Sequence, residues 1–176
     1  MPHTAATYAQ ALIGAGGLEA DAVTVNPLLG VDSLEPWVDA AAAVGAGLFV
    51  LVRTSNPGAA DVLDLPVDGV ALHERLAAIV GSERRLDGER GLSGMGAVVG
   101  ATAPELLGRL RSLMPSSIFL LPGVGAQGAS PADLGPALGS DPASILVPVS
   151  RGISAAPDPA EAAERLREQL WSLAAG

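Results

Sequence analysis

The residues best suited to chemistry lie in two short stretches. In Leu120-Leu121-Pro122-Gly123-Val124-Gly125-Ala126-Gln127-Gly128, the apolar run Ile118 to Leu121 gives way to a Pro and three Gly within seven residues. That pattern is a buried strand feeding a loop whose backbone must approach something closely. Gln127 is the long polar side chain of this loop, able both to donate and to accept hydrogen bonds. A second apolar run, Ile145 to Val149, ends in Ser150-Arg151-Gly152. Each loop alone reads as well as a glycine-rich turn or a surface arginine. Together, at successive strand ends, they match the paired loops that hold a phosphate at one end of a parallel α/β barrel.

Other polar residues carry less. Ser55 has no His or paired acid nearby in sequence, so it reads as a loop hydrogen-bonding group rather than a nucleophile. Arg53 fits a ligand contact or an ion pair at a strand end equally well. His73 reads as a surface residue of a charged helix, and His3 has no partner spaced for a metal. Asn26 precedes Pro27, and an Asn-Pro turn explains it without a ligand. Asp61, Asp64 and Asp68 read as solvated loop charges, and Trp37 and Trp171 as packing residues.

These loops need a scaffold, and the remaining chain supplies one. The 176 residues are enough for one domain with a real core, 49% hydrophobic but only 3% aromatic. Apolar runs end too soon to span a bilayer, and no charged start precedes an apolar segment, so a cytoplasmic protein is expected. Cysteine is absent, which excludes disulfides and thiolate metal sites. A net charge of −9 argues against nonspecific nucleic-acid binding. All ten basic residues are Arg. No lysine can therefore form a Schiff base or act as an ammonium acid or local cation.

Periodicity predicts helices over 4–14, from Ser33 as N-cap to Val44, over 70–80, 104–113 and 159–174, and a short helix or turn over 131–138. On the last helix, Ala163, Leu166, Leu170 and Leu173 share the apolar face. On the first, Tyr8, Leu12 and Ile13 are the apolar set. Strands are predicted over 21–27, 48–52, 96–102, 118–121 and 145–149, with a charged loop over 82–92. Continuous apolar strands alternating with helices mean a parallel sheet with right-handed crossovers. Two closures fit: a doubly wound open sheet, or part of a (β/α)8 TIM barrel. Five strands and an opening helix read as the last five-eighths of such a barrel, one partial domain over 1–176 without its first three strands.

The stretches Asp21 to Gly30, Phe49 to Gly58, Val98 to Thr102 and Pro122 to Gly128 together resemble orotidine 5'-phosphate decarboxylase, most of all its longer bacterial subgroup common in actinobacteria. The resemblance implies a (β/α)8 barrel, a homodimer, no cofactor and no metal, and conversion of orotidine 5'-phosphate to UMP and carbon dioxide. It also implies site residues. Ser55 matches the serine that bonds the pyrimidine base. Gln127 matches the residue bridging base and phosphate, and Arg151 the phosphate-binding arginine. Pro122 joins the substrate-binding set, and Gly128 and Ser150 lend backbone amides to the phosphate. Thr4 matches a threonine that reaches the partner subunit's ribose. Ser150 departs from the pattern, since many members carry Gly before the Arg.

The family's chemistry rests on an Asp-x-Lys-x-x-Asp run after the third strand and on an earlier Lys. The run's Lys protonates C6 as carbon dioxide leaves. Met1 to Ala9 fits the continuation of that run, with Met1 in an apolar slot. The expectation is therefore that the chain holds the substrate-binding half and no catalytic residue, through truncation or an internal Met taken as a start. The alternatives are a noncatalytic phosphate-ligand binder, the partner half of a split barrel, or another phosphate-binding barrel enzyme such as an isomerase.

Overall fold

The computed structural model describes residues 2–88 and 91–175. Met1 in its proposed slot, and Glu89 and Arg90 of the charged loop, lie outside the described residues. No helix among the described residues is long and apolar enough to cross a membrane.

Five parallel strands form the main sheet: β1 (Ala22–Val25), β2 (Gly47–Arg53), β5 (Ser93–Val99), β6 (Ser117–Leu120) and β7 (Ile145–Leu146). They are hydrogen-bonded in the order in which the chain visits them. A doubly wound sheet reverses its strand order at a switch point; this one does not. Its helices also gather on one side. Leu34, Val38 and Ala41 of α2 (Val31–Val44), Leu76, Ala77 and Val80 of α4 (Leu72–Ser82), and Leu107 and Leu110 of α5 (Pro104–Leu113) share one core. The sheet contributes Leu48, Val50, Val52, Met95, Ala97, Val99, Phe119 and Leu121 to that core. The alternate residues Leu51, Val98, Leu120 and Leu146 line up across neighbouring strands and stand outside the core. On this other face the Phe49 ring lies over Gly96, where a Cβ would come within 2.8 Å of it. Monotonic order with helices on one face is the layout of a (β/α) barrel wall, and the fold is of that α/β class.

Several elements differ from expectation. Helix α2 begins at Val31, two residues before Ser33, and Gly30 occupies the N-cap. The Ser33 hydroxyl donates to the Gly30 carbonyl at 2.7 Å instead of accepting from the helix end. Val70 and Ala71, assigned from periodicity to a helix, pair instead with Pro66–Val67 in a small antiparallel hairpin, β4 with β3. Its turn holds Asp68 at φ 52° and Gly69 at φ 80°, left-handed geometry that Asp and Gly tolerate best. Strand β7 is only two residues long because Pro148 carries no N–H to continue the ladder. On α1 (Pro2–Leu12), Ala9 rather than Tyr8 faces the core, and Tyr8 is 60% exposed. The apolar face of α7 (Pro159–Ala175) is as expected, with Leu166, Leu170 and Leu173 packed on the core, but Trp171 points outward.

The end of the sheet away from the site is tied by Arg111, which the sequence did not single out. Its buried guanidinium donates to the carbonyls of Ala137, Met114, Ser117 and Ser144 at 2.7–3.2 Å. It also stacks 3.7 Å above the Phe119 ring, a cation–π contact, and it pairs with no carboxylate among the described residues.

Candidate functional site

The loop after β6 is built from its glycines. Gly123, Gly125 and Gly128 have φ of 118°, 81° and 100°, a region that side chains with Cβ rarely adopt. Those turns let the Gly125 N–H donate to the Ala129 carbonyl and the Ala129 N–H to the Gly123 carbonyl. The Gly128 N–H donates to Gly125 within the same loop. The amides of Ala126 and Gln127 meet no backbone or side-chain acceptor among the described residues.

After β7 the chain runs through Pro148 into a single helical turn, α6 (Arg151–Ser154). Among the described residues, the amides of Arg151 and Gly152 at its start also lack protein acceptors. The two loops meet. A cavity of about 200 Å³ is walled on one side by Pro122, Gly123, Val124, Ala126 and Gln127, and on the other by Pro148, Val149, Ser150, Arg151 and Gly152. The two stretches singled out from sequence thus close on one space. Arg151 is its cation. Most described arginines are engaged with carboxylates and Arg111 is buried among carbonyls, whereas Arg151 is exposed and pairs with no carboxylate among the described residues. An unpaired guanidinium beside open amides is suited to a phosphate.

Ser55 approaches from the end of β2. A Cβ built on Gly123 would lie 3.4 Å from Ser55 Cβ, 3.2 Å from Gln127 Oε1 and 3.0 Å from Thr102 Cγ2, so these three side chains crowd one point. Ser55 is held there by its backbone. The Thr102 hydroxyl donates to its carbonyl at 3.1 Å. Gly100 packs against it so closely that a Cβ would meet Ser55 Cα at 2.6 Å. Ser55 is not itself part of the cavity wall but borders it at Gly123, and its hydroxyl has no protein partner among the described residues. Gly100 and Thr102 lay in the stretch Val98 to Thr102 that carries the resemblance, but the sequence reading gave them no site role, although a Gly at a strand end marks close approach.

The remaining sequence-derived site residues fall differently. Gly128 shapes the loop but is not part of the cavity wall. Thr4 sits on the exposed side of α1, apart from the cavity lining. Of its two readings, Arg53 makes the ion pair, with Asp64 at 2.7 and 3.0 Å. That overturns the reading of Asp64 as a solvated charge, and the Arg53 guanidinium holds its carboxyl below the usual range. His73 is buried rather than on the surface, because the cluster gives its ring polar partners. Its Nδ1 faces two acceptors, the Leu63 carbonyl at 2.9 Å and Asp64 Oδ1 at 3.1 Å, which fixes the tautomer with the proton on Nδ1.

Comparison with known proteins adds an independent line. The family model described as orotidine 5'-phosphate decarboxylase / HUMPS family matches residues 1–166. The chain is 46% identical over 157 residues to an orotidine 5'-phosphate decarboxylase of Rhodopirellula baltica, covering 85% of this chain and 52% of that one. A structure of Leishmania donovani OMP decarboxylase superposes with a TM-score of 0.79 at 35% identity, covering 98% of this chain and 64% of that one. A Methanocaldococcus jannaschii orotidine 5'-monophosphate decarboxylase complexed with the inhibitor BMP gives a TM-score of 0.75 at 25% identity, over 97% of this chain and 69% of that one. The chain spans about half the length of the curated relatives it matches.

Proposed function

The chain belongs to the orotidine 5'-phosphate decarboxylase / HUMPS family, and on that footing we propose that it carries the substrate-binding part of an enzyme converting orotidine 5'-phosphate to UMP and carbon dioxide in de novo pyrimidine biosynthesis. The observation behind this reading is the convergence of two strand-end loops on one cavity holding an unpaired arginine. In the proposal, Arg151 and the open amides around Gln127 and Ser150 take the phosphate. Gln127 bridges phosphate and base, Pro122 packs against the base, and the free hydroxyl of Ser55 reads its edge. Gly128 serves by shaping the loop, a change from its expected role as an amide donor. Thr4 is assigned to a second subunit's ribose in a homodimer, which agrees with its exposure outside this cavity. The 176 residues form one domain in this reading, with the five sheet strands as strands 4–8 of the barrel, in the longer bacterial subgroup. No metal or cofactor is part of the proposal.

Decarboxylation by this chain alone is not expected. Carbanion formation at C6 calls for a cation and a proton donor where charge develops, and the sequence contains no lysine to be either. That same fact favours the second reading, a noncatalytic phosphate-ligand binder or the partner half of a split barrel. Titration of the chain with UMP, uridine and ribose 5-phosphate tests the shared premise. UMP should bind more tightly than either fragment, and equal affinity for UMP and uridine would refute a phosphate site.

A further inference from the structure

Regular strand alternation would place Phe49, Leu51 and Arg53 on the same face of β2, away from the helices. The register breaks before Arg53: Leu51 pairs with Val98, but Arg53 pairs with Val99. One extra residue on β2 therefore turns Arg53 to the side of Val99, which is the helix-facing side. Re-aiming one side chain in this way is what a bulge does. Arg53 is consequently buried, 8% exposed, at the last position of the strand.

There its donors are divided. Nε and Nη2 grip both Asp64 oxygens, and Nη1 donates to the Thr54 carbonyl at 2.6 Å. Asp64 is held in turn by His73 from the start of α4. The Arg53 carbonyl accepts from the Gly100 N–H at 2.6 Å, on the neighbouring strand end. The peptide entering Ser55 is thus fixed on one side by the guanidinium, while Thr102 fixes the Ser55 carbonyl on the other.

We propose that the bulged Arg53, clamped by Asp64 and His73, is a positioning residue that fixes the Thr54–Ser55 backbone and so holds the Ser55 side chain against Gly123 at the edge of the cavity. The pair touches no ligand itself. It sets recognition of the ring carried by a phosphorylated nucleoside, and leaves the phosphate end to Arg151. The ligand half of this inference rests on the function proposed above, and the backbone half does not.

The test uses the full chain as Asp64→Asn, which keeps the shape but weakens the clamp, with Ser55→Ala as the control for loss of the hydroxyl. Two quantities are read: amide hydrogen exchange across 53–64, and affinity for UMP against ribose 5-phosphate. In Asp64→Asn we expect exchange to quicken within 53–64 and not across the core strands. The preference for UMP over ribose 5-phosphate should fall about tenfold, as one lost hydrogen bond would give, with ribose 5-phosphate affinity unchanged. Ser55→Ala should lose the same preference without quickened exchange. Unchanged exchange in Asp64→Asn, or exchange quickened evenly through the chain, would overturn the proposal. If the wild-type chain shows no preference for UMP, the ligand reading of the cavity fails. Local exchange then decides the backbone claim alone, for it if quickened within 53–64 and against it if not.

Discussion

Arg111 joins four backbone carbonyls at the end of the sheet away from the site. Replacing it by Met keeps the stem's length and apolar packing but removes every donor. Four carbonyls, those of Ala137, Met114, Ser117 and Ser144, then lose a charged donor at once, although Met114 still accepts from the Ser117 N–H at 3.3 Å. Hydrogen bonds to a charged group contribute about 1.5–3 kcal/mol each, so a simple sum approaches ~10 kcal/mol. Two effects reduce it. Burial costs the charged form roughly 3 kcal/mol, judged from a pKa pulled down to about 10. Met also replaces the guanidinium with apolar surface against Phe119, offsetting part of the cation–π contact. The carbonyls that cannot regain water decide the balance, and the net expectation is a loss of about 3–5 kcal/mol. Arg111→Lys keeps a charge but cannot span four carbonyls, so it should fall between, near 2 kcal/mol. Urea unfolding followed by circular dichroism measures both, at one protein concentration because association shifts apparent stability. A loss below about 1 kcal/mol for Arg111→Met would refute the view that this residue ties the loops below the sheet.

Two further changes probe the site's support. The carboxyl of Asp64 titrates below its usual range because the Arg53 hydrogen bonds favour the charged form, with smaller help from His73. A depressed pKa gives stability that is complete above about pH 4 and lost as pH falls through the lowered value. Asp64→Asn should therefore be less stable than the wild type at pH 7, with the gap closing as pH falls below the ordinary carboxylate value of about 4; a gap that stays constant as the solution is acidified would contradict the clamp. The side chain of Asp64 is 34% exposed, so the gap should be modest. Gly100→Ala would place a Cβ 2.6 Å from Ser55 Cα, against backbone that cannot swing aside. It should cost about 1–3 kcal/mol by overpacking and weaken UMP binding. Wild-type stability and affinity in that variant would show that Ser55 has room to move.

The sequence showed the sheet's five strands because each holds a short, mostly apolar run bounded by turn residues, the pattern of a parallel sheet. It showed the two cavity loops because clustered glycines mark backbone at positive φ, as at Gly123 and Gly125, and Pro148 cannot continue a strand ladder. It hid what depends on distant partners. His73 and Asp64 read as surface charges, since nothing local reveals that a bulge turns Arg53 towards them. Arg111 was not singled out, because its carbonyl partners lie up to 33 residues away. The β3–β4 hairpin was lost because Val70-Ala71 continues into an apolar helix pattern, and only the left-handed Asp68-Gly69 turn separates them. Ser33 was taken for a cap on residue type, although Gly30 ends the preceding loop more sharply.

The central claim is that the loops after β6 and β7 form a phosphate site whose cation is Arg151. Calorimetry of UMP and uridine binding to the wild-type chain and to Arg151→Ala measures it most directly. A charge-assisted contact of this kind contributes about 1.5–3 kcal/mol, or roughly 10- to 150-fold in affinity. The wild type should prefer UMP over uridine by at least that factor, and Arg151→Ala should lose most of the preference while binding uridine as before. A preference for UMP that survives Arg151→Ala intact would contradict the account and place the phosphate elsewhere.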